Sequence, residues 1–188
     1  MTMNATLNVI ENRYTCRDFN DKEVGADLLK LIAAAGVQSP SANNSQKWHI
    51  IVITDKNLIN ELETAGMKTI KAMPDQAVYE RIMSRGGLLF YNAQALIAVA
   101  VDASGRDLPS MDCGICVENM TIAAASLGVA SCICGLAGLA FEGDNEKKFN
   151  EKLKFPSGYK LGMSILLGYE KAPGKPHEPD YNKITYIA

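Results

Sequence analysis

Apolar residues recur at helical spacing near the start of the chain. Leu7, Ile10 and Tyr14 share one face, and Thr6 or Asn4 stands where a cap is needed. A second stripe, Leu28, Leu29, Ile32 and Ala35, follows Asp27 and is closed by Gly36 and Pro40. The pattern then changes period. Trp48 to Thr54 contains a short β-branched run that reads as a buried strand, ended by the turn formers Asp55-Lys56-Asn57, and Leu58 to Met67 reads as a helix. Lys68 to Leu88 is the least regular stretch, with Pro74 as a breaker, a short helix around Gln76 to Met83, and Gly86-Gly87 as a hinge-like pair that can cover a site.

The second half repeats this alternation. Ala95 to Val101 is a continuous apolar strand, and Ser104 to Pro109 is a polar loop. Met111 to Leu127 is a helix that is apolar nearly all round and rich in small residues, which predicts close packing and suits a dimer core. Gly128 ends it, Val129 to Cys134 forms a third strand, Asp144 to Leu153 a charged surface helix, and Leu161 to Leu167 a fourth strand. From Pro173 the chain is proline-rich and extended, ending in the strand-like Ile184 to Ile187, a tail that wants a partner.

Interleaved helices and strands without repeats or linkers predict one layered domain over residues 1–188. The connections are uneven and no Gly-x-Gly-x-x-Gly follows the first strand, so α+β is preferred to a parallel doubly wound sheet. A length of 188 residues with 47% hydrophobic content supports one sizeable core. The net charge of -2 and scattered Lys and Arg argue against nucleic acid as a partner. The absence of a ~20-residue apolar run or a leader pattern argues against a membrane and for a cytoplasmic protein. Five cysteines, four of them in apolar surroundings, fit reduced core thiols.

Two segments carry candidate chemistry. If the backbone is extended beyond Asn12, Arg13, Thr15 and Arg17 fall on one side, so two guanidinium forks and a hydroxyl converge as a phosphate would require. Pro40-Ser41-Ala42-Asn43-Asn44-Ser45-Gln46-Lys47-Trp48 offers amides and hydroxyls without charge, apart from Lys47. Cys113-x-x-Cys116 lies inside a predicted helix with no second pair at zinc spacing, and His49 and His177 are far apart, so no metal site is expected.

These residues resemble the FMN-dependent nitroreductase family over essentially the whole chain. Family members open with a motif of the form Arg-Arg/His-Ser-x-Arg/Lys, which Arg13 to Arg17 resembles with Tyr14 and Thr15 at its second and third places. They continue with Pro-Ser-x-x-Asn-x-Gln-Pro-Trp, resembled by Pro40 to Trp48 with Lys47 in place of proline. An aspartate-led, alanine-rich helix ending in Leu-Gly, then a short strand and a glycine, is similar to Asp112 to Gly128 and Val129 to Gly135. Gly168-Tyr169 and Lys175-Pro176-His177 resemble the family's closing segment.

The resemblance implies an α+β fold with a central mixed, mostly antiparallel sheet flanked by helices, in a homodimer that exchanges terminal segments and holds FMN at the subunit interface. It implies that Arg13, Tyr14, Thr15 and Arg17 hold the phosphate and ribityl chain, with Lys175 and His177 as further cationic help. Pro40, Ser41, Ala42 and Asn44 would come from the other subunit. Ile133, Cys134 and Gly135 would lie under the ring, a backbone N–H near Gly135 facing its hydride-accepting nitrogen. The implied reaction is two-electron ping-pong transfer, from NADH or NADPH to FMN and then to a nitroaromatic, quinone or similar electron-poor small molecule. The chemistry is carried by the flavin and needs no catalytic side chain. A specialised flavin enzyme of dehydrogenase or dehalogenase type, or a non-enzymatic FMN-binding dimer, is the alternative.

Overall fold

A computed structural model describes residues 4–104 and 108–187. Four strands form one sheet in the order β1-β2-β4-β3, with β1 Trp48–Ile53, β2 Ala95–Asp102, β3 Ala130–Ile133 and β4 Tyr159–Gly168. All three ladders are antiparallel, and the parallel element is an isolated bridge between Thr15 and Ser131 on the free edge of β3. The helices are α1 Ala5–Asn12, α2 Ala26–Val37, α3 Lys56–Ala72, α4 Ala77–Met83, α5 Leu108–Ser126 and α6 Asn145–Lys152. The expected α+β class stands.

Strand alternation divides the core between the two faces of the sheet. Leu96, Ala98 and Leu166 pack with Leu62, Ile70 and Phe149 beneath α3 and α6. Ala95, Ile97, Val99, Ile165 and Leu167 pack with Ile32, Cys116 and Met120 beneath α2 and α5. Strand β2 is covered on both sides, which is why its sequence is continuously apolar. Strand β1 is not: it is an edge strand with His49 and Val52 exposed, so it is half-buried where the β-branched run predicts full burial.

Element ends differ from the sequence reading for local reasons. Helix α1 is capped by Asn4, whose side chain accepts the Leu7 N–H at 2.9 Å, but it stops at Asn12 because Arg13 is extended, leaving Tyr14 outside it. Asp55 accepts the Asn57 and Leu58 N–H groups, so the expected turn is the N-cap of a longer α3. Gly36 lies inside α2, where a Cβ would sit 2.8 Å from Ile50 Cδ1 and 2.9 Å from Met120 Sδ. Its role is therefore close α2–α5 packing, and the helix continues one residue beyond it. The expected Ser104 to Pro109 loop is cut short by α5, which starts at Leu108, and 105–107 lie outside the described residues.

Helix α5 is covered on one side only. Cys113, Cys116, Val117, Met120 and Ala124 are buried, whereas Met111 and Ile115 are 59% and 43% exposed. The tail carries no strand at Ile184 to Ile187 within one chain, and Tyr186 and Ile187 are almost fully exposed. Among the described residues, no helix is long and apolar enough to cross a membrane.

The segment after α1 is tied to the sheet by backbone pairing. The Cys16 N–H donates to Ser131 O at 2.9 Å, and Phe19 and Glu170 form an antiparallel bridge. The Phe19 ring is fully buried on Gly168, where a Cβ would meet Phe19 Cδ1 at 2.7 Å. A rigid ring has little room to give, so Gly168→Ala is expected to destabilise the fold by about 1–3 kcal/mol through overpacking. Urea denaturation checks this as a lower midpoint at an unchanged slope.

Candidate functional site

The Arg13 to Arg17 segment is extended, the condition on which its charges share one side, and alternation sends Cys16 into the core at 4% exposure. Arg13, Tyr14, Thr15 and Arg17 then line a cleft of about 260 Å³, closed from the tail by Lys175 and His177. Six of the residues singled out in the sequence thus converge, and none of the residues lining the cleft is acidic. Arg13 Nε stands 3.5 Å from Glu118 Oε1, and Thr121 Oγ1 donates to Glu118 Oε2 at 2.8 Å. Among the described residues, Arg17, Lys175 and His177 make no ion pair. The Arg17 and Lys175 charges are available to an anion.

A second hollow of about 490 Å³ adjoins the first, lined by Arg13, Tyr14, Ser131, Tyr169 and residues of α1 and α5. Tyr14 belongs to both, and its hydroxyl is buried without a hydrogen-bond partner.

Ile133, Cys134 and Gly135 lie at the end of β3, two to four residues beyond the Thr15–Ser131 bridge that ties the cation segment to that strand. Ile133 is 40% exposed, while Cys134 is buried and locked to β4: its N–H donates to Ser164 O at 2.9 Å, and its carbonyl accepts Ser164 Oγ at 2.7 Å. In a trans peptide the next N–H points opposite to that carbonyl. The Gly135 N–H is therefore aimed away from β4, at the start of the 3-10 turn Gly135–Phe141, where the first donors have no partner within the turn.

Pro40, Ser41, Ala42 and Asn44 do not line this cleft. They form a separate loop between α2 and β1, in which Asn43, Asn44 and Gln46 all have positive φ. That conformation is costly for residues other than glycine and persists where surroundings impose it. Here the buried carboxylate of Asp112 accepts the Ala42 N–H with both oxygens at 3.2 Å, and Ser41 Oγ accepts the Gln46 N–H at 2.9 Å. Lys47, which stands where the motif has proline, anchors the end of the loop: Nζ lies 2.8 Å from Asp102 Oδ2, which holds that carboxyl well below the usual range.

Sequence reasoning missed Glu118 and the anchoring role of Asp112. Their partners are 105 and 70 residues away, respectively, so no local spacing signals either contact.

Residues 10–169 match the nitroreductase family. This chain belongs to the nitroreductase family. A solved nitroreductase with bound FMN from Desulfitobacterium hafniense is 44% identical, with all of both chains covered and a TM-score of 0.98. Another with bound FMN, from Bacteroides fragilis, is 27% identical over 99% of this chain and 100% of that one, with a TM-score of 0.89. An oxygen-insensitive NADPH nitroreductase from Helicobacter acinonychis is 22% identical over a gapped alignment of 209 positions that covers 95% of each chain.

The thiols of this chain are packing groups. Cys16, Cys113, Cys116, Cys132 and Cys134 are all free and buried. Burial pushes Cys113 up to about 11 and both Cys116 and Cys132 up to about 12, and it raises Cys16 and Cys134 as well. A group titrating near pH 12 is thiolate to only about one part in 10⁴ at pH 8, and thiolate is the reactive form. A disulfide reagent at pH 8 is therefore expected to leave the native thiols unmodified over minutes and to titrate all five in denaturant. Absorbance of the released thiol gives the count.

Loss of the Asp112 anchor should free the Ser41 to Gln46 loop. Asp112→Ala is expected to speed hydrogen exchange of the Ala42 amide by about tenfold or more, while Asp112→Asn, which retains an acceptor, keeps most of the protection. Exchange followed by mass spectrometry or NMR decides it.

Proposed function

We propose that this chain is an FMN-dependent NAD(P)H oxidoreductase that reduces nitroaromatics, quinones or similar electron-poor acceptors by two-electron ping-pong transfer. The observation that carries the proposal is the cleft in which Arg13, Thr15, Arg17, Lys175 and His177 meet without a carboxylate among them. Its donor set suits a phosphate monoester: guanidinium forks for the oxygens, a hydroxyl and a flexible ammonium. The family relatives solved with FMN support the choice of ligand.

In this reading Arg17 and Lys175 balance the phosphate charge, and Arg13, shared with Glu118, contributes in part. Ile133 and the Gly135 backbone offer an apolar ledge next to an outward N–H donor, suited to the edge of a flat heteroaromatic ring. Bound there, FMN supplies hydride exchange between a nicotinamide and an acceptor. The protein's work is to hold, orient and keep water from one face.

We further propose a homodimer in which Pro40, Ser41, Ala42 and Asn44 complete the partner's site. The exposed Met111 and Ile115 of α5, the exposed Ile184, Tyr186 and Ile187 of the tail, and the absence of this prearranged loop from the lining of its own chain's cleft support that arrangement. The chain is taken as one domain of residues 1–188, with the tail beyond His177, where Tyr186 and Ile187 are exposed, as its exchanged segment.

An absorption spectrum of purified, dialysed protein, followed by anaerobic NADH and then NADPH, tests cofactor and reaction together. Flavin bands near one FMN per chain that a nicotinamide bleaches, and whose colour an added nitroaromatic or quinone restores, are expected. Protein that neither carries nor takes up FMN, or FMN that neither nicotinamide bleaches, overturns the proposal. Arg17→Ala is expected to weaken FMN retention by about tenfold or more, the worth of one charge-assisted contact. Flavin content after dialysis reports it.

A further inference from the structure

Position 14 carries tyrosine where the family motif has a cation, and the structure shows what the ring touches. A Cβ placed on Gly174 would clash with Cδ2 and Cε2 of Tyr14, and its three nearest neighbours are all atoms of that ring. Gly174 therefore lies against the Tyr14 ring, closer than any other residue type allows. The next residues along the tail, Lys175 and His177, are the ones that close the cation cleft.

Little else holds this part of the tail. The Lys171 N–H donates to Asp18 O at 3.1 Å, and Lys171 Nζ lies 3.0 Å from Asp18 Oδ1. Beyond that, the next backbone hydrogen bond among the described residues is Lys183 N–H to Asp180 O, within the tail itself. Residues 171–187 are exposed throughout. Two exposed side chains on an extended segment would sample many positions, and each contact with an anion would cost the entropy of ordering them. The ring–glycine contact removes part of that cost in advance. The pairing upstream agrees with it: Phe19 bridges Glu170 antiparallel and the Lys171 N–H donates to Asp18 O, so the tail leaves that bridge running back toward Tyr14.

The geometry points to Tyr14 as the positioning residue of the tail: its ring docks Gly174 and so presents Lys175 and His177 to the phosphate of the cofactor. The inference rests on the FMN reading and deepens it, because it assigns the loss of one clamp cation at position 14 a compensation from the other end of the chain. It concerns phosphate alone. Riboflavin shares the ring and ribityl chain of FMN and lacks the phosphate, so the contact governs how strongly the protein prefers FMN to riboflavin.

Fluorescence titration of the flavin-free, full-length protein with FMN and, separately, with riboflavin tests this. Gly174→Ala is expected to lower the preference for FMN by about tenfold or more while leaving riboflavin affinity within about twofold, since only the charge-assisted contacts to phosphate are lost. Tyr14→Ala should lower the preference for FMN at least as much, and the double variant should lose no more than Tyr14→Ala alone, because Gly174 acts only through that ring. Gly174→Ala that keeps the wild-type preference overturns the inference, and so does an equal loss for both ligands, which would mark a merely structural contact. Wild-type protein that binds neither flavin overturns the cofactor reading and this inference with it, an outcome distinct from either result on the variants.

Discussion

The site depends on Phe19 being buried against the backbone of Gly168. That contact joins two extended segments that are 149 residues apart in sequence, one leaving α1 and one leaving β4. Neither segment has a regular element of its own. The ring supplies apolar burial, the bridges at Thr15 and Phe19 satisfy backbone groups, and the two segments become a rigid pair on the edge of the sheet. The cation cleft is built on that pair, and so its geometry is set by core packing rather than by the charged residues themselves.

That arrangement explains how like charges come to be gathered at all. Arg13, Arg17 and Lys175 would repel one another if their positions were free, and isolated surface ion pairs are worth little. Here the backbone pairing and the buried Phe19 and Cys16 hold the segments together and the cationic side chains follow. Glu118 offsets one charge from the side of α5 without entering the cleft. What remains is a concentrated positive site in a chain whose net charge is -2.

Much of this was legible in the sequence, for reasons that differ by element. Period-two alternation in Arg13 to Arg17 required only an extended backbone, and the continuous apolar run of β2 followed from coverage on both faces. The helix of Met111 to Leu127 was visible, but its apolar surroundings hid the fact that one chain covers just one side. The edge position of β1 was not legible, since Ile50, Ile51 and Val52 look alike whether one face or two are buried. Long-range contacts were harder still. Lys47 reads as a loose loop residue until Asp102, on the neighbouring strand, is seen beside it, and Tyr14 reads as a missing cation until Gly174 is placed on its ring.

The distance along the chain between the two walls of the cleft also has a kinetic meaning. Arg13 and Lys175 meet only after β4 has entered the sheet between β2 and β3 and both extended segments have docked. Closing so long a loop comes late, after the ladders that reward it. A ligand held between those walls draws on contacts absent from the folding transition state. It therefore acts as a brake on unfolding and leaves the rate of folding nearly unchanged.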